Sequence, residues 1–234
     1  TSLRNVTLPN SVTAIGNYAF SECTSLVSVD FSAGLTSIGS NAFRGCTALT
    51  TVDIPASKDT TTIETQAFWG CSALTRVSIP NSVTSVDSGA FSWTNIEILD
   101  INMTCIPNYF SGNSSLKTVI LGNDVETISD GAFSNCVSLN SINLPDSVTS
   151  IGKEAFSNCR SLTDIVIPGG ITSINDRTFY YCTSLRSVVI PDNVTNIGEY
   201  AFYECFYLTE ANFPNGMTSI GKYAFFCCNR LPGI

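Results

Sequence analysis

Apolar residues recur at fixed offsets from a series of phenylalanines. Six, nine and eleven positions after most of them stand residues such as Leu139, Ile142 and Leu144, or Leu162, Ile165 and Ile167. The last two of each set alternate with one intervening residue, the period-two signature of a short strand with one buried face. A proline usually follows at once, as at Pro9, Pro55, Pro80, Pro145, Pro168, Pro191 and Pro214. Lacking an N–H, proline ends ladder pairing and keeps the strand to a few residues. A second apolar pair comes next, Val148 with Ile151 or Val194 with Ile197, and then a small or polar residue: Gly16, Gly39, Asp87, Gly152, Asn175, Gly198 or Gly221. These types tolerate positive φ, so the pattern predicts a tight corner there. The stretch that follows, such as KEAFSNC, has no β-branched run and places Ala and Phe to pack inward, which predicts a short helical turn. Each unit therefore reads as strand, corner, second short extended segment, corner and helical turn, an α/β repeat.

The register is carried by Phe20, Phe43, Phe68, Phe91, Phe110, Phe133, Phe156, Phe179, Phe202 and Phe225, at steps of 23, 25, 23, 19, 23, 23, 23, 23 and 23 residues. Residues 132–154 and 155–177 match at 12 of 23 positions. Self-similarity at such a period marks a solenoid, in which each unit buries its apolar face against its neighbours. One continuous domain over residues 1–234 is expected, irregular near 55–63, where two residues are added, and near 91–110, where a unit is shortened. The chain opens in mid-repeat and reads as a piece of a longer array.

The pattern AFxxCxxLxxVxIPxxVxxIGxx resembles the leucine-rich repeats of the BspA type, found in surface proteins of host-associated bacteria and some protists. The resemblance runs from Leu3 to Leu231 in about ten copies and departs at Phe91 to Phe110, where Thr94 and Asn113 replace the expected cysteine. It implies a curved right-handed solenoid with a parallel sheet on one face. It also implies a role at the cell surface or in secretion, in adhesion to host matrix proteins, other cells or glycans.

Chemistry is sparse. Eleven Lys and Arg against 19 Asp and Glu leave a net charge of −8, which repels phosphate backbones and anionic head groups, so nucleic acid is not an expected partner. No run is apolar enough for a spanning helix. There is no histidine, no CxxC and no GxxxxGKS loop, which removes the usual metal sites, triad bases and phosphate cradles. Neither an enzyme nor a cofactor is expected, and a monomer is. Eight of the ten cysteines lie three residues after the repeat phenylalanine, from Cys23 to Cys228. A column at repeat spacing points to buried packing thiols. Stacked equivalents point the same way and suit a disulfide poorly. Cys105 aligns with the inward Ile of other units and is expected in the core, which leaves Cys227 as the exposed thiol.

Two surfaces are candidates for binding. The outward strand column, ten residues after each Phe, begins with Asp30 and Asp53 and becomes apolar at Val166 and Val189. Asp30 and Asp53 suit a hard cation such as calcium, but two carboxylates are too few for a dedicated site, and a solvated acidic face is the favoured reading. The second surface is aromatic: Tyr180, Tyr181, Tyr203 and Tyr207, with Tyr200, Phe206, Tyr223 and Phe226, stand where earlier units mostly carry Ser, Asn, Gly or Glu. Such clusters mark interfaces and sugar-stacking surfaces, or pack against a following domain. Trp69 and Trp93 form a smaller second patch. A threonine column, Thr13 to Thr218, raises ice binding as a rival, although its Val-Thr-Ser-Ile context sets it near a corner. The alternative to recognition is a spacer that displays another domain.

Overall fold

The computed structural model describes residues 2–232. Two compact units divide the chain, Thr1–Met103 and Thr104–Ile234, and one type of coil builds both.

In the first unit, Asn5–Thr7 pairs in parallel with Ser28–Asp30, and Arg76–Ile79 lies between Thr51–Asp53 and Ile98–Ile101. The second strands form their own parallel sheet in the order Ala14–Ile15, Ser37–Ile38, Thr61–Ile63 and Val83–Val86. The two added residues before Thr61 leave a register shift between Thr61 and Thr62. They also bury Thr61 completely, and its hydroxyl is satisfied by donating to the Leu35 carbonyl at 2.8 Å. Phe20, Phe43, Phe68 and Phe91 stack with centroids 5.1–5.2 Å apart and planes within 8°.

In the second unit, Thr118–Leu121 pairs with Ser141–Asn143, and Ser187–Val189 lies between Asp164–Val166 and Glu210–Ala211. Its second strands give two sheets, Cys105–Ile106 with Thr127–Ile128 and Ser150–Ile151, and Ser173–Ile174 with Asn196–Ile197 and Ser219–Ile220. Phe110 to Phe225 continue as a stack at 5.1–6.5 Å. The predicted alternation holds: Leu162, Ile165 and Ile167 are buried while Asp164 and Val166 face out.

The expected helical turns do not form, and the α/β class is replaced by a parallel β-solenoid whose only helix among the described residues is the 3-10 turn Asn108–Phe110. An α-helix sends every N–H to the carbonyl four residues back, whereas here alternate N–H groups go to different places. Those of Ala155, Ser157 and Cys159 bond three residues back, to Gly152, Glu154 and Phe156. Those of Glu154, Phe156 and Asn158 cross to the next coil, to the carbonyls of Asp176, Thr178 and Tyr180, at 2.7–3.1 Å. The alternation requires left-handed backbone two residues before and two after the phenylalanine, as at Glu154 (φ 56°) and Asn158 (φ 59°), in every coil but that of Phe110, where the 3-10 turn takes the first place. Repeated left-handed residues prevent a helix.

Four of the corner glycines, Gly39, Gly152, Gly198 and Gly221, consequently serve another purpose than positive φ, while Gly16 meets nothing within 4 Å. Gly152 is not left-handed; a Cβ built there would lie 2.4 Å from the Asp130 nitrogen and 2.6 Å from the Ser129 carbonyl carbon of the preceding coil. Close approach of two backbones excludes the side chain. Gly152→Ala is therefore expected to lower the unfolding free energy in urea by roughly 1–3 kcal/mol. Gly169→Ala, where nothing lies within 4 Å, serves as the control and should change little.

The cysteine column is buried as free thiols. In seven coils the thiol donates to the phenylalanine carbonyl of the coil before, from Cys46 to Phe20 and on to Cys228 with Phe202, at 3.1–3.3 Å. Burial pushes the thiols of Cys46, Cys71, Cys136 and Cys182 up to about 12. Cys105 departs from expectation. Ile106, in register with Ile128, takes the inward place, so Cys105 is exposed with its sulfur 3.3 Å from the Ser129 hydroxyl. A slip of one residue reverses the face of a strand. Cys227, expected to be the exposed thiol, is only half-buried.

Candidate binding surface

The outward strand column is where the alternation puts it. Val166 and Val189 are adjacent in register and 63% and 51% exposed. Asp30 and Asp53 are exposed as well, and the Asp30 carboxylate accepts from the Thr7 hydroxyl at 2.9 Å. No group of three or more His, Cys, Asp or Glu able to hold a metal ion occurs among the described residues. The threonine column is not a free array of hydroxyls. Those of Thr36 and Thr218 donate to backbone carbonyls of the preceding coil at 2.9 Å, and Thr61 is buried.

The aromatic residues lie on the turn edge, and the structure separates them into two groups. Tyr180, Tyr203 and Phe226 occupy the position after the repeat phenylalanine in three successive coils. They stack at 5.1 and 5.0 Å with planes 22° and 12° apart. Tyr181 meets Tyr180 edge-on at 4.5 Å, while Tyr200 and Tyr223 flank the ladder at 5.3–5.6 Å. Arg177 lies over Tyr200 and Lys222 over Tyr223, at 5.4 and 4.9 Å. Cation–π contact of this kind orients the basic groups on the rings. Partial burial, helped by the hydrogen bond its hydroxyl donates to Glu204 at 3.2 Å, pushes the Tyr181 phenol up to about 12. Tyr207 stands apart, five residues after Phe202, with the Arg230 guanidinium 4.3 Å from its ring centroid. In the first unit Trp69 and Trp93 meet at 6.4 Å, with Arg44 over Trp69.

Three residues beside the ladder, Tyr181, Tyr200 and Tyr223, have φ of 56–57°. Bulky side chains rarely adopt this backbone, which costs about 1 kcal/mol or more for each. Matching positions in earlier coils are held by Asn135, Asn158 and Gly131, types that suit it better, but also by Glu154 and Arg177.

Next to the ladder is a trough of about 320 Å³ that no sequence motif announced. Ser134 and Ser157, the equivalents of Tyr180 in the two coils before it, form its floor. Asn135 and Asn158 line one side and Glu154 and Arg177 the other, while Tyr180 closes the end. The change from Ser, Ser to Tyr, Tyr, Phe along one column is the signal that could have revealed it.

No curated protein matches the chain significantly. Among solved structures it is similar to a leucine-rich cell surface protein of Faecalibacterium prausnitzii, at 29% identity over 98% of this chain and 78% of that one, with a TM-score of 0.49. A leucine-rich repeat protein of T. pallidum is 24% identical over 89% of this chain and 79% of its own, with a TM-score of 0.48. A third, from Bacteroides ovatus, is 21% identical over 97% and 85%, with a TM-score of 0.44. The family model for the BspA type leucine rich repeat region, spanning six copies, matches residues 1–110 and 104–232. With the coil, the stacked phenylalanines and the buried cysteines recurring in both units, the chain belongs to the BspA-type leucine-rich repeat family.

Proposed function

We propose that the chain is a non-catalytic binding module of a cell-surface or secreted protein, recognising host proteins or glycans through the aromatic ladder of its second unit. The observation that carries this reading is the ring stack of Tyr180, Tyr203 and Phe226, in the column that Ser134 and Ser157 hold in the two coils before it. Tyrosines with apolar bodies, polar tips and adjacent basic groups are the usual composition of a recognition surface. The surface or secreted location rests on the family resemblance, and the exposed Val166 and Val189 offer a secondary contact.

The test is a screen of the intact chain against matrix proteins and glycans, beside a Tyr180→Ala, Tyr181→Ala, Tyr203→Ala variant. Binding that weakens at least about tenfold in the variant, with an unchanged circular dichroism spectrum, is the expected result for anchors of this type. Equal binding by both proteins would move recognition off the ladder. Silence from both would leave the spacer reading in its place.

A further inference from the structure

The ladder is a stack, so Tyr180 packs one ring face on Tyr203 while its other face fronts the trough. The trough combines this single apolar wall with polar groups on the remaining sides. Ser157 is 5% exposed as a residue, and its hydroxyl is open to the trough it lines. Asn135 donates to the Ser134 hydroxyl at 3.0 Å and keeps its carbonyl oxygen free, while Asn158 accepts from Arg160 at 3.4 Å and keeps its NH₂ free. The lining therefore offers acceptors and donors together.

Charge narrows the ligand. Arg177 is already held by Glu154 at 3.2 Å, and the chain carries −8 overall, so an anion would have to displace a carboxylate against an unfavourable field. An apolar side chain would meet polar walls on every side but one. A pyranose has what the trough lacks, an apolar C–H face for the ring and a rim of hydroxyls for the amides and serines. From Ser134 to Tyr180 the trough spans two coil steps, roughly 10 Å at ordinary strand spacing, and its volume is at the small end of ligand sites.

We propose that this trough binds a neutral saccharide, one pyranose stacking on the free face of Tyr180 with its hydroxyls on Ser157, Asn135 and Asn158. The proposal rests on the recognition reading above and names one ligand class for it.

The experiment titrates the intact, isotope-labelled chain with maltotriose, cellotriose, mannotriose, N-acetylchitotriose and N-acetyllactosamine, with sialyllactose and inorganic phosphate as anionic arms. The side-chain amide signals of Asn135 and Asn158 report the site. At least one neutral sugar is expected to shift them saturably. Tyr180→Ser, which copies the serines of the preceding coils, should weaken it about tenfold without altering the melting temperature. Ser157→Tyr adds a ring to the ladder, fills the trough and should abolish binding. Shifts caused only by phosphate or sialyllactose, no shifts at all, or sugar binding that survives Ser157→Tyr would each overturn the proposal. A protein partner bound through the ladder with no sugar in the trough would sink this inference and leave the recognition reading standing. Failure of every partner would remove both.

Discussion

Raising the pH from about 8.5 to about 10.5 is expected to remove most of the stability of this protein, because its buried thiols ionise only when the chain unfolds. The thiols of Cys46, Cys71, Cys136 and Cys182 are raised from about 9 to about 12 in the folded chain. The first cause in each case is burial, which penalises the thiolate. Below the unfolded value the thiols are protonated in both states and add no pH dependence. Above it the unfolded chain loses these protons while the folded chain keeps them, so stability falls as pH rises towards the folded value. The slope is about 1.4 kcal/mol per pH unit for each thiol, or about 5 kcal/mol per unit for four. The raised Tyr181 phenol adds a loss of the same sign above about pH 10. Urea titrations at half-unit steps of pH would measure it. Because burial raises the Cys159 and Cys205 thiols as well, Cys71→Ala with Cys136→Ala should lower the slope by roughly a third, and a midpoint that stays flat through this range would contradict the account.

Phe156→Ala is the substitution expected to be most damaging. Phe156 is fully buried between Phe133 and Phe179, with centroids 5.7 and 5.6 Å away. Removing a ring from such a position costs roughly 3–5 kcal/mol through lost burial and the cavity left behind. The neighbouring coils cannot collapse into the gap, because their spacing is set by hydrogen bonds on either side of the ring, from Phe156 to Thr178 and from Phe133 to Ala155. Phe206→Ala, on an exposed side chain, supplies the comparison and should cost under about 1 kcal/mol. Similar losses at the two positions, read from urea midpoints, would show that the stack is not where the stability resides.

The inward rows could be read from the chain because burial is enforced by a period of two and repeated in nearly every coil. Leu162, Ile165 and Ile167 are inside for that reason, and the cysteine column follows the same repetition. The turn segment was misread because its left-handed positions carry Tyr18, Gln66, Glu154 and Arg177 among others, types that do not announce such backbone. What fixes their conformation is the hydrogen-bond demand of the neighbouring coil, a tertiary effect. Cys105 was placed inward because the shortened unit loses the phenylalanine spacing that sets the count elsewhere. The aromatic group was visible as composition. Its division into a ladder and a separate Tyr207 was not, since that depends on which offsets from phenylalanine share an edge. The trough was invisible for a related reason: it is made by the absence of rings over two coils followed by their presence in a third.

The alternating N–H pattern has a mechanical consequence for a chain held by its two ends. Within either unit, successive coils are joined by short rows of bonds that run along the stack, such as the three from Glu154, Phe156 and Asn158 to the following coil. Tension along the chain meets these rows one coil at a time instead of shearing them all together. Each coil that peels away frees 23 residues, close to 80 Å of slack at full extension. The array thus lengthens in steps under load while the remaining coils keep their surfaces folded.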